Sequence, residues 1–192
     1  MAKRHIIKRY IQKNYIIYIV SAIVFVAAVV LGVSSSLAVD GEKTSELTKV
    51  CDAVFSKNFT CDYKLMAKRC IIDNLKIILP CFVLSLLPFT SFFCMAPVAF
   101  KGFAAGFTSG FVILKYKTKG LMYILMYLVP GYVFLLPVLF FMCSLCISFA
   151  FSYKNTKEGV TPFFAVMFII YLLLTVLEIC GGFFSSLLLK NF

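Results

Sequence analysis

The chain has 192 residues, 62% of them hydrophobic and only 14% charged, with a formal net charge of +11. Long apolar blocks and so little charge exclude a soluble enzyme domain, which needs polar surface to cover its core. The positive excess sits beside the apolar blocks rather than on a polar domain interleaved with aromatics, which argues for orientation in a bilayer and against nucleic-acid binding.

Residues 1–14 form a basic tail with Lys3, Arg4, Lys8, Arg9 and Lys13 and no acid. The apolar stretch 15–39 reads as a first transmembrane helix. As helix, its central part reaches about 35 Å, enough for a hydrocarbon core of about 30 Å. The positive-inside rule then puts the tail in the cytoplasm. Ser36 and Ala38 would suit a signal-peptide cleavage site, but such a signal has an apolar region of only about 7 to 15 residues, so the stretch reads as an anchor.

Residues 40–74 are the one extended hydrophilic region, an extracytoplasmic amphipathic loop too short for an enzyme domain. Leu47, Val50, Cys51 and Val54 recur at helical spacing with Glu46, Lys49 and Asp52 between them, which predicts an amphipathic helix whose face rests on lipid or on a partner, with lipid or internal packing preferred. Its acids, from Asp40 to Asp73, read as an ordinary solvated face. Cys51, Cys61 and Cys70 share this region, and an oxidising compartment would let two of them pair.

Residues 75–192 form a helical membrane domain with segments near 75–99, 101–115, 120–153 and 161–189. The segment 75–99 contains Pro80, Pro88 and Pro97, which predict kinks among neighbouring helices. In 101–115, Gly102, Gly106 and Gly110 fall on one helix face in a doubled GxxxG register, which lets another backbone approach closely. That backbone could belong to the same chain or to a second copy in a homo-oligomer. Lys115, Lys117 and Lys119 lead into 120–153, which is longer than one span and carries Pro130 and Gly131 as the expected helix break. The last span starts with Pro162 in its first turn. The fold class is therefore all-α: a polytopic integral membrane helical bundle of about five segments, kinked by prolines.

No constellation for catalysis stands out. The sole histidine, His5, belongs to the basic tail, and no P-loop, dinucleotide-binding fingerprint, HExxH or EF-hand pattern is present. Cys143 and Cys146 form a lone CxxC inside an apolar run and read as small packed hydrophobes, so neither a metal nor a cofactor is expected. Glu178 lies within the last apolar segment, where a carboxylate is costly. A carrier would supply several such groups, so the preferred reading is structural: neutral, or hydrogen-bonded to a neighbouring helix.

The stretch KGFAAGFTSGFVILKYKTKGLMYILMYLVPGYVFLLPVLFFMCSLCISFAFS, residues 101–152, resembles stage II sporulation protein M. The resemblance rests on Lys101, Gly102, Gly106, Phe107, Thr108, Gly110, Phe111, Gly120, Pro130 and Pro137, with Asn74, Leu75 and Lys76 opening the preceding segment. After Pro130 the family often has a polar pair, where this chain has Gly131 and Tyr132. The resemblance implies a non-catalytic membrane scaffold for engulfment of the forespore. It would position stage II sporulation proteins D and P, which remodel peptidoglycan, at the mother-cell and septal membrane. It also favours five spans, although these place the lysines at 115–119 outside, against the positive-inside bias, and a re-entrant third segment would keep them in the cytoplasm. A small permease or membrane subunit of an exporter is the alternative, with kinked helices and Glu178 as its marks.

Overall fold

The structure, a computed structural model, describes residues 14–38, 41–54, 62–85, 91–156 and 160–190. The basic tail before residue 14, Cys61, Pro88 and Lys157 lie outside the described residues. Six α-helices follow one another: α1 (Tyr15–Leu37), α2 (Gly41–Val54), α3 (Tyr63–Ser85), α4 (Ala96–Tyr123), α5 (Val129–Thr156) and α6 (Val160–Lys190). A 3-10 turn over Ser91–Met95 leads into α4, and a π-helical turn over Ile124–Leu128 joins α4 to α5.

The 23 residues of α1 expose Ile16, Ile19, Ile23, Val26 and Val30 on one side, the apolar flank a lipid-facing helix presents. Its other side is a stripe of small buried residues, Ser21, Ala28, Gly32 and Ser36. This stripe receives the glycine face of α4. A β-carbon on Gly102 would lie 2.9 Å from the carbonyl oxygen of Phe25; one on Gly106 would collide with the carbonyl of Val29, and one on Gly110 with the hydroxyl of Ser36. Gly32 is reciprocally closed off by the backbone at Phe103 and Phe107. Both numberings rise together along the contact, so α1 and α4 are parallel. In lipid, where apolar surface gains little by association, such close backbone approach supplies the packing.

The chain reverses inside α4. Lys117 has φ 50° and ψ −123°, outside the helical region and in territory that glycine favours. Gly120 then folds back onto the carbonyl of Val112, and the Tyr132 hydroxyl reaches the carbonyl of Lys101 at 3.4 Å. The part of α4 before Lys117 is therefore antiparallel to everything that follows it through α5. Pro130 and Gly131, the expected break, lie within continuous helix thirteen residues beyond the reversal. Proline there has no N–H for the preceding turn, and the wider π turn immediately before it takes up the mismatch without ending the helix.

The remaining pairs also alternate. Across α5 and α6, Gly131 meets Gly181, Cys146 meets Met167 at 3.8 Å, and the Phe149 and Phe163 rings stack at 3.8 Å. Across α3 and α6, the ring of Tyr63 lies 5.4 Å from that of Phe183, and Phe82 lies 5.9 Å from Phe163. Helices α1, α3, α4, α5 and α6 thus run up, down, up, down and up through one bundle. Four described helical stretches are, by length and composition, long and apolar enough to cross a membrane: Tyr15–Leu37, Phe92–Met126, which turns back at Lys117, Gly131–Phe151 and Pro162–Ser186. Helix α3 carries Lys64, Lys68, Arg69, Asp73 and Lys76 in its first half and is not among them, yet it is laid along α6 over most of that helix's length. It begins at Tyr63, twelve residues before the expected segment.

The apolar core fills the end of the bundle nearer the N-terminal tail, where Cys81, Cys94, Val98, Leu139, Met142, Cys143, Cys146, Met167 and Leu174 are almost wholly buried. The thiol of Cys143 donates to the carbonyl of Cys94 at 3.0 Å. The CxxC pair therefore packs as small side chains, and no group of three or more potential metal ligands occurs among the described residues.

The α1–α4 contact has a direct test. Gly106→Leu drives a side chain into the Val29 carbonyl and should cost at least about 2 kcal/mol, read as a lower melting temperature of the detergent-purified protein. Gly131→Ala, whose added β-carbon meets nothing within 4 Å, should leave that temperature unchanged.

Candidate functional site

Three residues far apart in sequence converge where α3, α4 and α6 meet. The ammonium of Lys101 donates to Glu178 Oε1 at 2.7 Å, and the side-chain amide of Asn74 donates to Glu178 Oε2 at 2.8 Å. The same amide lies 3.4 Å from the hydroxyl of Thr175, which itself donates to the Tyr171 carbonyl at 2.8 Å. The side chains of Lys101 and Glu178 are 13% and 26% exposed, and Asn74 is 2% exposed. Each carboxylate oxygen thus has a donor, the condition under which a buried ion pair offsets its desolvation.

Helical geometry explains the convergence. Lys101 precedes Gly102, which faces Phe25 and Ala28 at the middle of α1, so the pair sits at mid-depth of the first span. Glu178 lies one helical turn beyond Leu174 on the core side of α6, and Thr175 shares that side. Asn74 is the first wholly buried residue of α3, four before Ile78 and seven before Cys81 on the same face.

A cleft of about 630 Å³ descends onto this pair from the end of the bundle remote from the N-terminal tail. Asp62, Ser185 and Ser186 stand at its outer rim, Arg69 and Asp73 on the α3 wall, and Lys101, Glu178 and Leu135 at its floor. Thr108, Tyr132 and Gly131 also line it. Below the floor lies the Cys- and Phe-rich core of the bundle.

The same end carries a second polar junction. The Tyr116 hydroxyl and the Lys115 ammonium both donate to Asp52, the latter at 3.1 Å, and tie α2 to the turn at Lys117. These two hydrogen bonds, the tyrosine's first, hold the Asp52 carboxyl below the usual carboxylate range. Leu47 and Cys51 are half-buried in α2, with Glu46, Lys49 and Asp52 exposed. Cys51 and Cys70 carry free thiols.

The residues expected to matter are thus distributed over two places. Gly102, Gly106 and Gly110 meet α1 of the same chain, while Glu178 lies at the floor of the cleft and Gly131 on its wall. Lys101 and Asn74 supply the carboxylate's two donors. A lysine opening a glycine helix face and one acid in the last span are the two signals that could have been paired. The small stripe of Ala28, Gly32 and Ser36 was likewise visible as spaced small residues in α1.

The family model of stage II sporulation protein M matches residues 21–186. The chain belongs to that family. The match runs from the first turns of α1 to the outer rim of the cleft, and so takes in the glycine contact, the turn at Lys117 and the Lys101–Glu178 pair together. The protein is accordingly a multi-pass, sporulation-related membrane protein of all-helical architecture. No curated protein and no solved structure matches it.

Loss of one ionic partner leaves the other unmatched within the bundle. Lys101→Met or Glu178→Met alone should destabilise the protein by roughly 2–3 kcal/mol, and the double substitution should recover most of that loss. A double-mutant cycle on detergent-phase melting reads the coupling; additive losses would show that the two side chains do not act as a pair.

Proposed function

We propose that this member of the stage II sporulation protein M family is a non-catalytic scaffold that recruits and positions peptidoglycan-remodelling enzymes at the septal membrane during engulfment. The observation that carries the reading is the family match across residues 21–186. The geometry is in keeping with it. With the basic tail in the cytoplasm by the positive-inside rule, the alternating helices direct α2, the turn at Lys117 and the mouth of the cleft to the outer side, where peptidoglycan lies. Stage II sporulation proteins D and P are the proposed partners, and α2 held to the lysine turn by Asp52 is the proposed contact surface.

The cleft ending on Lys101 and Glu178 favours a second reading, a small permease or the membrane subunit of an exporter. Its floor offers one ion pair, already neutralised and capped by Asn74, and among the described residues no further row of ionisable groups leads from it through the core.

A crosslinked, mild-detergent pull-down of the tagged protein from sporulating cells separates the two readings. The scaffold predicts recovery of the two peptidoglycan-remodelling partners, reduced by Asp52→Lys at unchanged protein level. Recovery of transporter subunits without them would favour the permease and contradict the scaffold.

A further inference from the structure

Helix α3 carries charge at a depth where lipid would face it. Tyr63 packs beside Phe183 and Phe82 beside Phe163, and between these ends the Tyr171 hydroxyl donates to the Ile71 carbonyl at 3.3 Å. Asp73 and Lys76, which pair at 3.5 Å, therefore lie level with the middle of the apolar stretch Pro162–Ser186. Their side chains are nonetheless 60% and 71% exposed. Charged side chains at such depth almost always face protein or a water-filled cavity. Asp73 borders the cleft, but Lys76 is not on its lining, and among the described residues neither kind of cover is provided for it.

The charges on this flank are ordered. At about 100° per residue, Arg69, Asp73 and Lys76 share a sector of α3 about 60° wide, turned away from the buried face of Asn74, Ile78 and Cys81. Asp73 stands at one edge of the sector and Lys76 at the other, with Arg69 between them one turn towards the start of the helix; Lys64 and Lys68 fall outside it. A sector whose two edges carry opposite charge matches itself under a two-fold rotation, whereas a wholly acidic or wholly basic partner helix would be repelled at one edge. Leu65, Ile72 and Leu79, all exposed, recur every seven residues beside the Lys76 edge, the spacing by which two helices keep a seam in contact.

We propose that α3 is a dimer interface, on which two copies of this chain meet across a two-fold axis along the membrane normal with Asp73 of each facing Lys76 of the other. Both copies cross the membrane in the same sense, so the two α3 helices run parallel. The rotation sets the acid edge of one against the basic edge of the other, with Asp73 and the opposing Lys76 offset by about 4.5 Å along the helix, within the reach of a lysine side chain. The interface is separate from the glycine contact, which α1 of the same chain occupies, and it does not rest on the recruitment of other proteins.

Native mass spectrometry of the full chain released from lipid nanodiscs counts the copies. The unaltered protein should give two chains per particle. Asp73→Lys alone, or Lys76→Asp alone, sets like charges against each other across the axis and should leave mostly one chain. The two variants expressed together with different tags should recover two-chain particles holding one of each, because their charges are then complementary between copies. Pairing within each chain stays lost in that mixture, so the recovery reads the contact between copies, and it shows that both variants fold. A photo-crosslinking residue at Ile72 of the otherwise unaltered chain should join two copies in cells. One chain per particle for the unaltered protein, self-association of either variant equal to that of the unaltered chain, or capture from position 72 of lipid or another protein in place of a second copy would overturn the proposal.

Discussion

The bundle depends on the close approach of two parallel helices. At Gly32 and Gly106 the backbones of α1 and α4 leave no room for a β-carbon, so the two helices meet main chain to main chain. In a bilayer this is an effective way to hold helices together, because lipid tails compete for every larger apolar side chain. Parallel neighbours must be joined through a returning element, and α3 supplies it. The reversal at Lys117 then sends α5 back, and α6 follows in the opposite direction beside both α3 and α5. The alternation of the whole bundle follows from the one glycine contact and the connections around it.

The polar features are arranged with respect to this frame. The glycine register sets the depth of Lys101, and Lys101 in turn fixes Glu178 on α6 and, through it, Asn74 on α3. One half of the bundle is closed by thiols, thioethers and aromatic rings, and the other contains a cleft with charged walls. Charge in the first half of α3, which keeps that helix from qualifying as a span by composition, is tolerated because much of it faces the cleft or pairs along the helix. A protein built this way presents fixed surfaces at one end, which the proposed scaffold role would use.

Much of this was legible in the sequence where the signal was local. The length of the first span, the amphipathic spacing of Leu47 and Cys51, and the glycine register are patterns within one helix, and periodicity reads them directly. The partner of the glycine face was not legible, because GxxxG reports that a backbone comes close without naming which one. The Lys101–Glu178 pair joins positions 77 apart, a separation that only the fold can close. The reversal at Lys117 falls between the expected segments 101–115 and 120–153, whereas the further break expected at Pro130 and Gly131 is continuous helix. The early start of α3 was hidden because its charges resemble a loop until α6 and the cleft are beside them.

Helices α1 and α4 point the same way, so the turn at Lys117 shares a membrane side with α2. Cysteine accessibility tests it most directly, using Lys117→Cys in a chain whose Cys51, Cys61, Cys70 and Cys180 are changed to serine, with Lys8→Cys as the reference for the tail. In intact, non-sporulating cells an impermeant maleimide should label position 117 and reach position 8 only after permeabilisation. Labelling of position 117 only after permeabilisation, alongside position 8, would contradict the parallel arrangement and the outer placement of the cleft that rests on it.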